Sequence, residues 1–315
     1  MIVCCGEALI DLVPEGSSGS NWNARPGGCP YTTAIGLARL GSRTAFIGRV
    51  ATDFLGDLLV ERLRESGVTV DSIARREEPT TLAFVKRDPS GNARYAFYSN
   101  GAADRSLLPE DLPSSLDSDA AYLVVGSIST VQEPSGSTIE GFVAREAERR
   151  LVSFDPNLRP ALISDRAEYQ RRFDFIAARS AIVKASDEDL AWRWPDLDAA
   201  ERPKRLLALG PSLVALTRGA EGALLLTSRH RVELPAFPVE IADTIGAGDT
   251  FHAALIHRLE QTGIRKREDL EALDETMLQG LLAYAIAAAS LVCTKVGGEP
   301  PWAAEVEAFL RERGS

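Results

Sequence analysis

Cysteine is scarce in this chain: there are four, Cys4, Cys5, Cys29 and Cys293, and no CxxC pair. That argues against a disulfide frame and against a zinc site; adjacent Cys4 and Cys5 in an apolar, strand-like run have the pattern of reduced, buried thiols. Histidine is scarcer still. Only His230, His252 and His257 occur, which excludes a multi-histidine metal centre, and the latter two fall on one helical stretch in a packing or surface role. Basic charge is also short, with 35 Lys and Arg against 45 Asp and Glu and a net charge of −10. No cationic cluster with interleaved aromatics offsets it, so nucleic acid and anionic membrane are excluded as main partners. A phosphate ligand would need a local site and a metal ion. The longest apolar run, "LLAYAIAAASLVC", is too short to span a bilayer, and "MIVCCGEALIDLV" lacks the basic flank of a signal peptide. The expectation is a cytoplasmic protein.

What is present is an ordinary globular composition, 45% hydrophobic and 25% charged over 315 residues. "IVCC" reads as a buried strand. "PGGCPYTTAIGLARLG" opens on glycines and continues as a helix that Gly41 ends. "TAFIGRV" is a strand, and "DFLGDLLVERLRESG" is a helix closing on Gly67. Such β–α–β–α alternation predicts a doubly wound, mainly parallel sheet with helices on both faces. From about Thr80 the pattern breaks: "TTLAFVKRDPSGNARYAFYSN" is two β-rich runs around a turn sequence, a hairpin with no slot in a parallel sheet. It reads as an inserted β lid. Alternation resumes at "AAYLVVGS" and continues through "LVSFD", "SAIVKAS", "SLVALT" and "GALLLT"; helical pattern then dominates up to Cys293. With no linker or internal repeat, one domain spanning residues 1–315 is expected.

The stretch "ADTIGAGDTFHAAL" sets Gly246 and Gly248 directly before a helical run. Glycine there means a turn or a close approach, and the helix start presents unpaired N–H groups at the positive end of its dipole. An anion would sit well there, with Asp249 beside it. A plain N-cap by Asp249 or Thr250 is the competing reading. Other polar residues fall just after predicted strands, where ligands bind in open parallel sheets: Asp11, Gly27 and Gly28, Asp155 with Asn157 and Arg159, Lys184 with Ser186, and Thr217–Arg218–Gly219. Singly, "DPNLR" could be a turn and "KASDED" a solvated helix start; their shared placement makes them a candidate site.

In order along the chain, "GEALIDLVP", "PGGCPYTTAIGLARLG", "VATDFLGDLL", the hairpin, "VGSI", "FDPNLRP", "VKASDEDL" and "DTIGAGDTF" resemble the PfkB (ribokinase-like) carbohydrate kinases, in particular the bacterial fructokinase branch. The resemblance runs from Cys5 to about Pro301. It implies a ribokinase-like fold and an ATP-dependent sugar kinase acting on a primary hydroxyl. Gly246, Ala247 and Gly248 would hold the transferred phosphoryl group, and Asp249 would accept the hydroxyl proton. Asp11, Gly27, Gly28, Thr32 and Phe97 would bind sugar, with Arg159 at the phosphate and sugar. Lys184, Ser186, Thr217, Gly219 and Gly222 would serve the nucleotide, Lys184 by neutralising phosphate charge. Asp189 would place Mg2+ through water. Asp243, the Ile245 carbonyl and backbone of Val292, Lys295 and Gly297 match a K+ site in potassium-activated relatives.

Four positions depart from the family pattern: Thr32 stands for an Asn, Ser99 for an Arg after the hairpin's "FY", Asp189 for a Glu and Pro301 for a Ser. If Ser99 faces the sugar, a neutral hexose is expected to outperform anionic 2-keto-3-deoxygluconate, unless Arg25, Arg94 or Arg105 supplies the charge. The lid, residues 12–25 and 80–99, should carry a homodimer contact through an apolar face including Tyr95 and Phe97, the alternative being a hairpin folded onto its own domain. Alternatives to a fructokinase are a kinase for ribose, 2-keto-3-deoxygluconate or a nucleoside, and a non-catalytic sugar-binding regulator. A dinucleotide-dependent oxidoreductase and a P-loop enzyme are disfavoured, since the first βα turn lacks GxGxxG and no GxxxxGK[ST] occurs.

Overall fold

Strand β1 (Ile2–Cys5) shows why this chain forms layers. Ile2 and Cys4 pack into one apolar core, Val3 and Cys5 into a second, and all four are buried. A strand with no polar face must be covered on both sides, the condition of a parallel sheet between helices. The computed structural model describes residues 1–15, 21–87 and 93–313, apart from the side chains at 87, 93 and 94. After β1 come β2 (Leu9–Glu15), β3 (Asn21–Gly27), α1 (Cys29–Arg39), β4 (Thr44–Ala51), α2 (Phe54–Glu65), β5 (Ile73–Arg76), β6 (Leu82–Arg87) and β7 (Ala93–Tyr98). The middle of the chain holds β8 (Tyr122–Gly126), α3 (Ser135–Glu146), β9 (Leu151–Asp155), α4 (Arg166–Arg179), β10 (Ile182–Ser186), α5 (Asp187–Arg193) and α6 (Arg202–Leu207). It ends with β11 (Leu213–Thr217), β12 (Ala223–Leu226), β13 (Arg231–Leu234), α7 (Ala247–Gln261), α8 (Arg267–Glu271), α9 (Glu275–Val292) and α10 (Ala303–Glu312).

The main sheet has the order β13-β12-β11-β10-β9-β8-β1-β4-β5. It is parallel from β11 to β5, and only the β12–β13 edge is antiparallel. Helices α1, α2, α7, α9 and α10 bury their apolar residues on one face, and α3 to α6 on the other. Chain order reverses at β1, so the crevice at its carboxyl end is where such a sheet binds ligands. Close packing supports this arrangement: a Cβ on Gly36 of α1 would lie 2.8 Å from the Ala253 Cβ of α7. The apolar α9 is a core helix, with Leu278, Leu281, Leu282, Ala285 and Ile286 buried. The expected fold class is the observed one. The four-residue edge strands β5 and β13 are too short to carry a pattern, and the terminal α10, with Val306 and Phe309 buried at helical spacing, was not among the expected elements.

The second sheet, β3-β2-β6-β7, is the inserted lid. Period-two alternation gives it an inner face of Leu9, Asp11, Val13, Arg25, Gly27, Tyr95 and Phe97, all lining one cleft. Tyr95 stacks on Phe97 at 5.6 Å on that inner face. The sequence expectation that these two rings form an exposed dimer face is therefore corrected: they cover the chain's own cleft. The outer face instead carries Trp22, Phe84 and Tyr98, with edge-to-face ring separations of 5.0 and 5.5 Å. Lid residues 16–20 and 88–92 lie outside the described residues.

Candidate active site

Gly246 takes a left-handed conformation (φ +74°) immediately before α7, and a Cβ there would lie 3.0 Å from the Gly298 carbonyl oxygen. Only glycine meets both demands cheaply. The Ala247 N–H bonds the Thr244 carbonyl and the Thr250 N–H bonds that of Gly246, while the N–H groups of Gly248 and Asp249 have no partner among the described residues. Two adjacent donors at a helix start make an anion site. Asp249 is the third residue of the helix and makes no capping bond; its Oδ1 accepts from Asn157 Nδ2 at 3.1 Å. The plain N-cap reading fails for Asp249 and Thr250 alike.

Beneath this turn lies a buried ion pair, Lys184 Nζ to Asp155 Oδ2 at 2.8 Å. Gly248 is there to make room, since a Cβ would stand 2.9 Å from that Nζ. Burial pulls the Lys184 pKa down, and the surrounding groups, Asp155 first and then Asp189 and Cys29, together outweigh it and hold the ammonium above its usual value. Lys184 was expected to neutralise nucleotide phosphate. Its charge is instead matched by Asp155, and it supports the turn from below. Asp155 also accepts from the Asn157 N–H and, at 3.7 Å, from Cys29 Sγ. Burial first, and then the nearby Asp155 charge, push the Asp249 carboxyl up to about 6, against the opposing pull of Lys184. A carboxylate poised there is a competent base near neutral pH.

Asp11, Gly27, Gly28, Thr32, Phe97 and Arg159 all line the cleft on the lid side of Asp249. A Cβ on Gly27 would stand 2.1 Å from Asp11 Oδ2, and Gly28 (φ +110°) approaches the Glu7 carbonyl, so both glycines let the acids reach inward. Burial raises Asp11 to about 7, with Arg159 opposing and Asp249 and Glu7 reinforcing. Arg159 stacks over Tyr95 at 4.9 Å and donates to the Asn157 and Leu158 carbonyls. Ser99 is not among the residues that line the cleft. It follows the end of β7, is buried, and its hydroxyl accepts from Gln132 Nε2 at 2.9 Å. Of the compensating arginines, Arg105 bonds Asn100 and the Glu133 carbonyl, away from the cleft, and the Arg94 side chain is outside the described set. Arg25 does line the cleft. It stands directly opposite Asp11 in register yet forms no ion pair with it; its guanidinium lies against Gly297. Sequence reasoning also missed Glu7, a buried acid that accepts from the Cys29 N–H and from the Ser129 N–H and hydroxyl. A single acid after a strand carries no local signal of that role.

On the other side of the turn, a cavity of about 520 Å3 is lined by Thr217, Gly219, Gly222, Ala247, Gly248 and Phe251. That size suits a nucleotide-sized ligand. Ser186 is not on its wall. Ser186 caps α5, accepting from the Asp189 N–H, while Asp189 Oδ2 accepts from the Ser186 N–H (2.8 Å) and hydroxyl (2.7 Å). Asp189 Oδ1 takes the Leu158 N–H at 2.8 Å, so this buried acid ties the "DPNLR" and "KASDED" loops together. Asp243 accepts from the N–H groups of Thr244, Ile245 and Gly297, tying its own turn to the segment at Gly297. The Val292 carbonyl accepts the Lys295 N–H, and the Lys295 ammonium pairs with Glu305. Neither His252 nor His257 is on the surface: His252 Nε2 meets Ser153 Oγ at 2.6 Å, and His257 Nδ1 meets Ser42 Oγ at 2.9 Å.

Residues 1–304 match the profile of the "pfkB family carbohydrate kinase". The chain is 41% identical over 281 residues to a fructokinase of Rhizobium leguminosarum bv. trifolii, covering 89% of this chain and 86% of that one. Its fold superposes on the ATP-bound fructokinase of Xylella fastidiosa with a TM-score of 0.92 and 28% identity, over 100% of this chain and 99% of that one. A Vibrio cholerae O395 fructokinase with fructose, ADP and calcium ion bound gives 0.86 at 28% identity, over 98% of each chain. With two clefts meeting at the Gly246–Asp249 turn and a family match along almost its whole length, the chain belongs to the pfkB family of carbohydrate kinases.

Proposed function

We propose that this protein transfers the γ-phosphoryl group of ATP to a primary hydroxyl of fructose. The observation that carries the reading is that the sugar cleft and the nucleotide cavity share one wall, the Gly246–Asp249 turn. Asp249 takes the hydroxyl proton as the oxygen attacks phosphorus; the phosphoryl group passes across the unpaired N–H groups of Gly248 and Asp249, and ADP leaves. Asp11 and the Gly27–Gly28 backbone hold the other hydroxyls. The inner lid face, with Tyr95 and Phe97, keeps water from competing as acceptor.

ATP would bring Mg2+, whose charge offsets that of the phosphates. Asp189 accepts two hydrogen bonds on Oδ2 and one on Oδ1, which leaves an Oδ1 lone pair for a contact through water. The oxygen-rich segment of Asp243, Ile245 and the 292–297 turn suits a hard monovalent cation; Pro301 contributes no hydroxyl to it.

Turnover of fructose against ribose, 2-keto-3-deoxygluconate and a nucleoside tests the assignment. Fructose is expected to give the highest kcat/KM. Sugar binding without any turnover would favour the regulator reading. In the same assay kcat/KM should fall as pH drops through about 6, because the base works ionised and its folded-state carboxyl is raised to that value. A flat profile down to pH 5 would remove Asp249 from the base role.

The homodimer reading moves to the outer lid face, where Tyr98 is 67% exposed beside Phe84 and Trp22, and Phe54 of α2 is 79% exposed. Apolar surface of this kind on a small sheet favours a second copy. Tyr98→Glu is expected to convert a dimer to a monomer by light scattering. A wild-type chain that is monomeric at micromolar concentration would end the idea.

A further inference from the structure

We propose that Cys29, Asp155 and Asp249 form an inhibitory site for a soft divalent cation, zinc or cadmium, on the proposed catalytic base itself. One ligand atom from each residue lies within 4.8 Å of the other two. Cys29 Sγ stands 3.7 Å from Asp155 Oδ2, and a tetrahedral zinc holds a thiolate sulfur and a carboxylate oxygen about 3.5 Å apart, so that pair needs to close by only a few tenths of an ångström. The thiol is fixed in place. Cys29 is the first residue of α1, its N–H is bonded to Glu7, and Glu7 is anchored in turn by Ser129.

A second observation points to the same spot. His252 Nδ1 is completely buried, has no hydrogen-bond partner among the described residues and lies 4.0 Å from Asp155 Oδ2. Ligating carboxylates are themselves supported by hydrogen bonds from behind, and this ring nitrogen stands where it could supply one to Asp155. Charge is consistent too: two carboxylates and a thiolate against one Lys184 ammonium leave two negative charges for a dication. Lys184 sits 2.8 Å from Asp155, so Cys29 and Asp249 carry most of the bond. Binding releases the thiol proton to solvent and involves no redox change. A ligated Asp249 cannot accept a hydroxyl proton, and because Cys29 and Asp249 line the sugar cleft, with Asp155 buried behind them, the metal competes with sugar. Serine keeps the size of Cys29 without the thiolate.

The test has two arms, and only the second rests on the proposed kinase activity. First, the nucleotide-free full chain is titrated with cadmium while thiolate-to-metal charge-transfer absorption is followed. A saturating band is expected, absent in Cys29→Ser, retained in Cys293→Ser and reached at least about tenfold less tightly in Asp249→Asn. Second, zinc inhibition is measured with Mg-ATP in excess, each variant against its own zinc-free rate. Half-inhibition should need at least about tenfold more zinc in Cys29→Ser, and more zinc at high fructose in wild type. A band that survives Cys29→Ser, or equal zinc sensitivity in that variant, overturns the site. Absence of turnover on every sugar would sink the kinase reading while the absorption arm still decides the metal.

Discussion

Asp249→Asn is expected to lower turnover by at least about a hundredfold, or about 2.7 kcal/mol in the barrier, without lowering the melting temperature. The amide keeps the shape, and its oxygen can still accept from Asn157. What it loses is proton acceptance, which matters in the transition state more than in ground-state binding, so KM should move little. Stability should hold or rise. Burial and the Asp155 charge raise the Asp249 carboxyl to about 6, so its ionised form costs the folded state something at neutral pH. A helix cap would show the opposite pattern, with turnover preserved, and the absence of any capping bond already speaks against it. Steady-state kinetics and a thermal melt on this single variant separate the two. Near-wild-type turnover would remove the central residue of the mechanism.

Lys184→Met should be the most destabilising of the conservative changes in the site, by about 3–5 kcal/mol, because it leaves the Asp155 carboxylate buried without its cation. The same change should move the acid limb of kcat/KM upward from about 6, since Lys184 is the cation that holds the Asp249 pKa down. Adding Asp155→Asn to it should restore much of the stability, since an amide in place of the carboxylate leaves no uncompensated charge. Denaturant midpoints of wild type, single and double variants read this directly. Equal midpoints for Lys184→Met and wild type would show that the pair contributes little. Stability recovered without activity in the double variant would separate the structural role of the pair from its electrostatic role at Asp249.

The layered α/β architecture was legible in the residues because it rests on local signals. "IVCC" and "LVSFD" are buried along their whole length and "LVALT" nearly so, and Gly41 and Gly67 end helices where the periodicity stops. The anion turn was legible for the same reason: two glycines before a helix have few other uses, and the structure gives each a specific neighbour, Gly298 and Lys184. Strand ends also pointed to Asp155, Arg159 and Thr217, since a parallel sheet delivers the ends of β9 and β11 to one edge, whereas Asp11 reaches the cleft from inside lid strand β2. Direction and partnership were another matter. Whether Tyr95 and Phe97 look inward, whether Ser99 meets sugar or Gln132, and whether Lys184 faces phosphate or Asp155 depend on which strand lies beside which. Sheet order, β9 beside β10 and β1 beside β8, is decided by packing between segments far apart in the chain. Cysteine spacing argued against a zinc site, yet Cys29, Asp155 and Asp249 come from α1, β9 and α7, and only their convergence in the fold makes a thiol and two carboxylates neighbours.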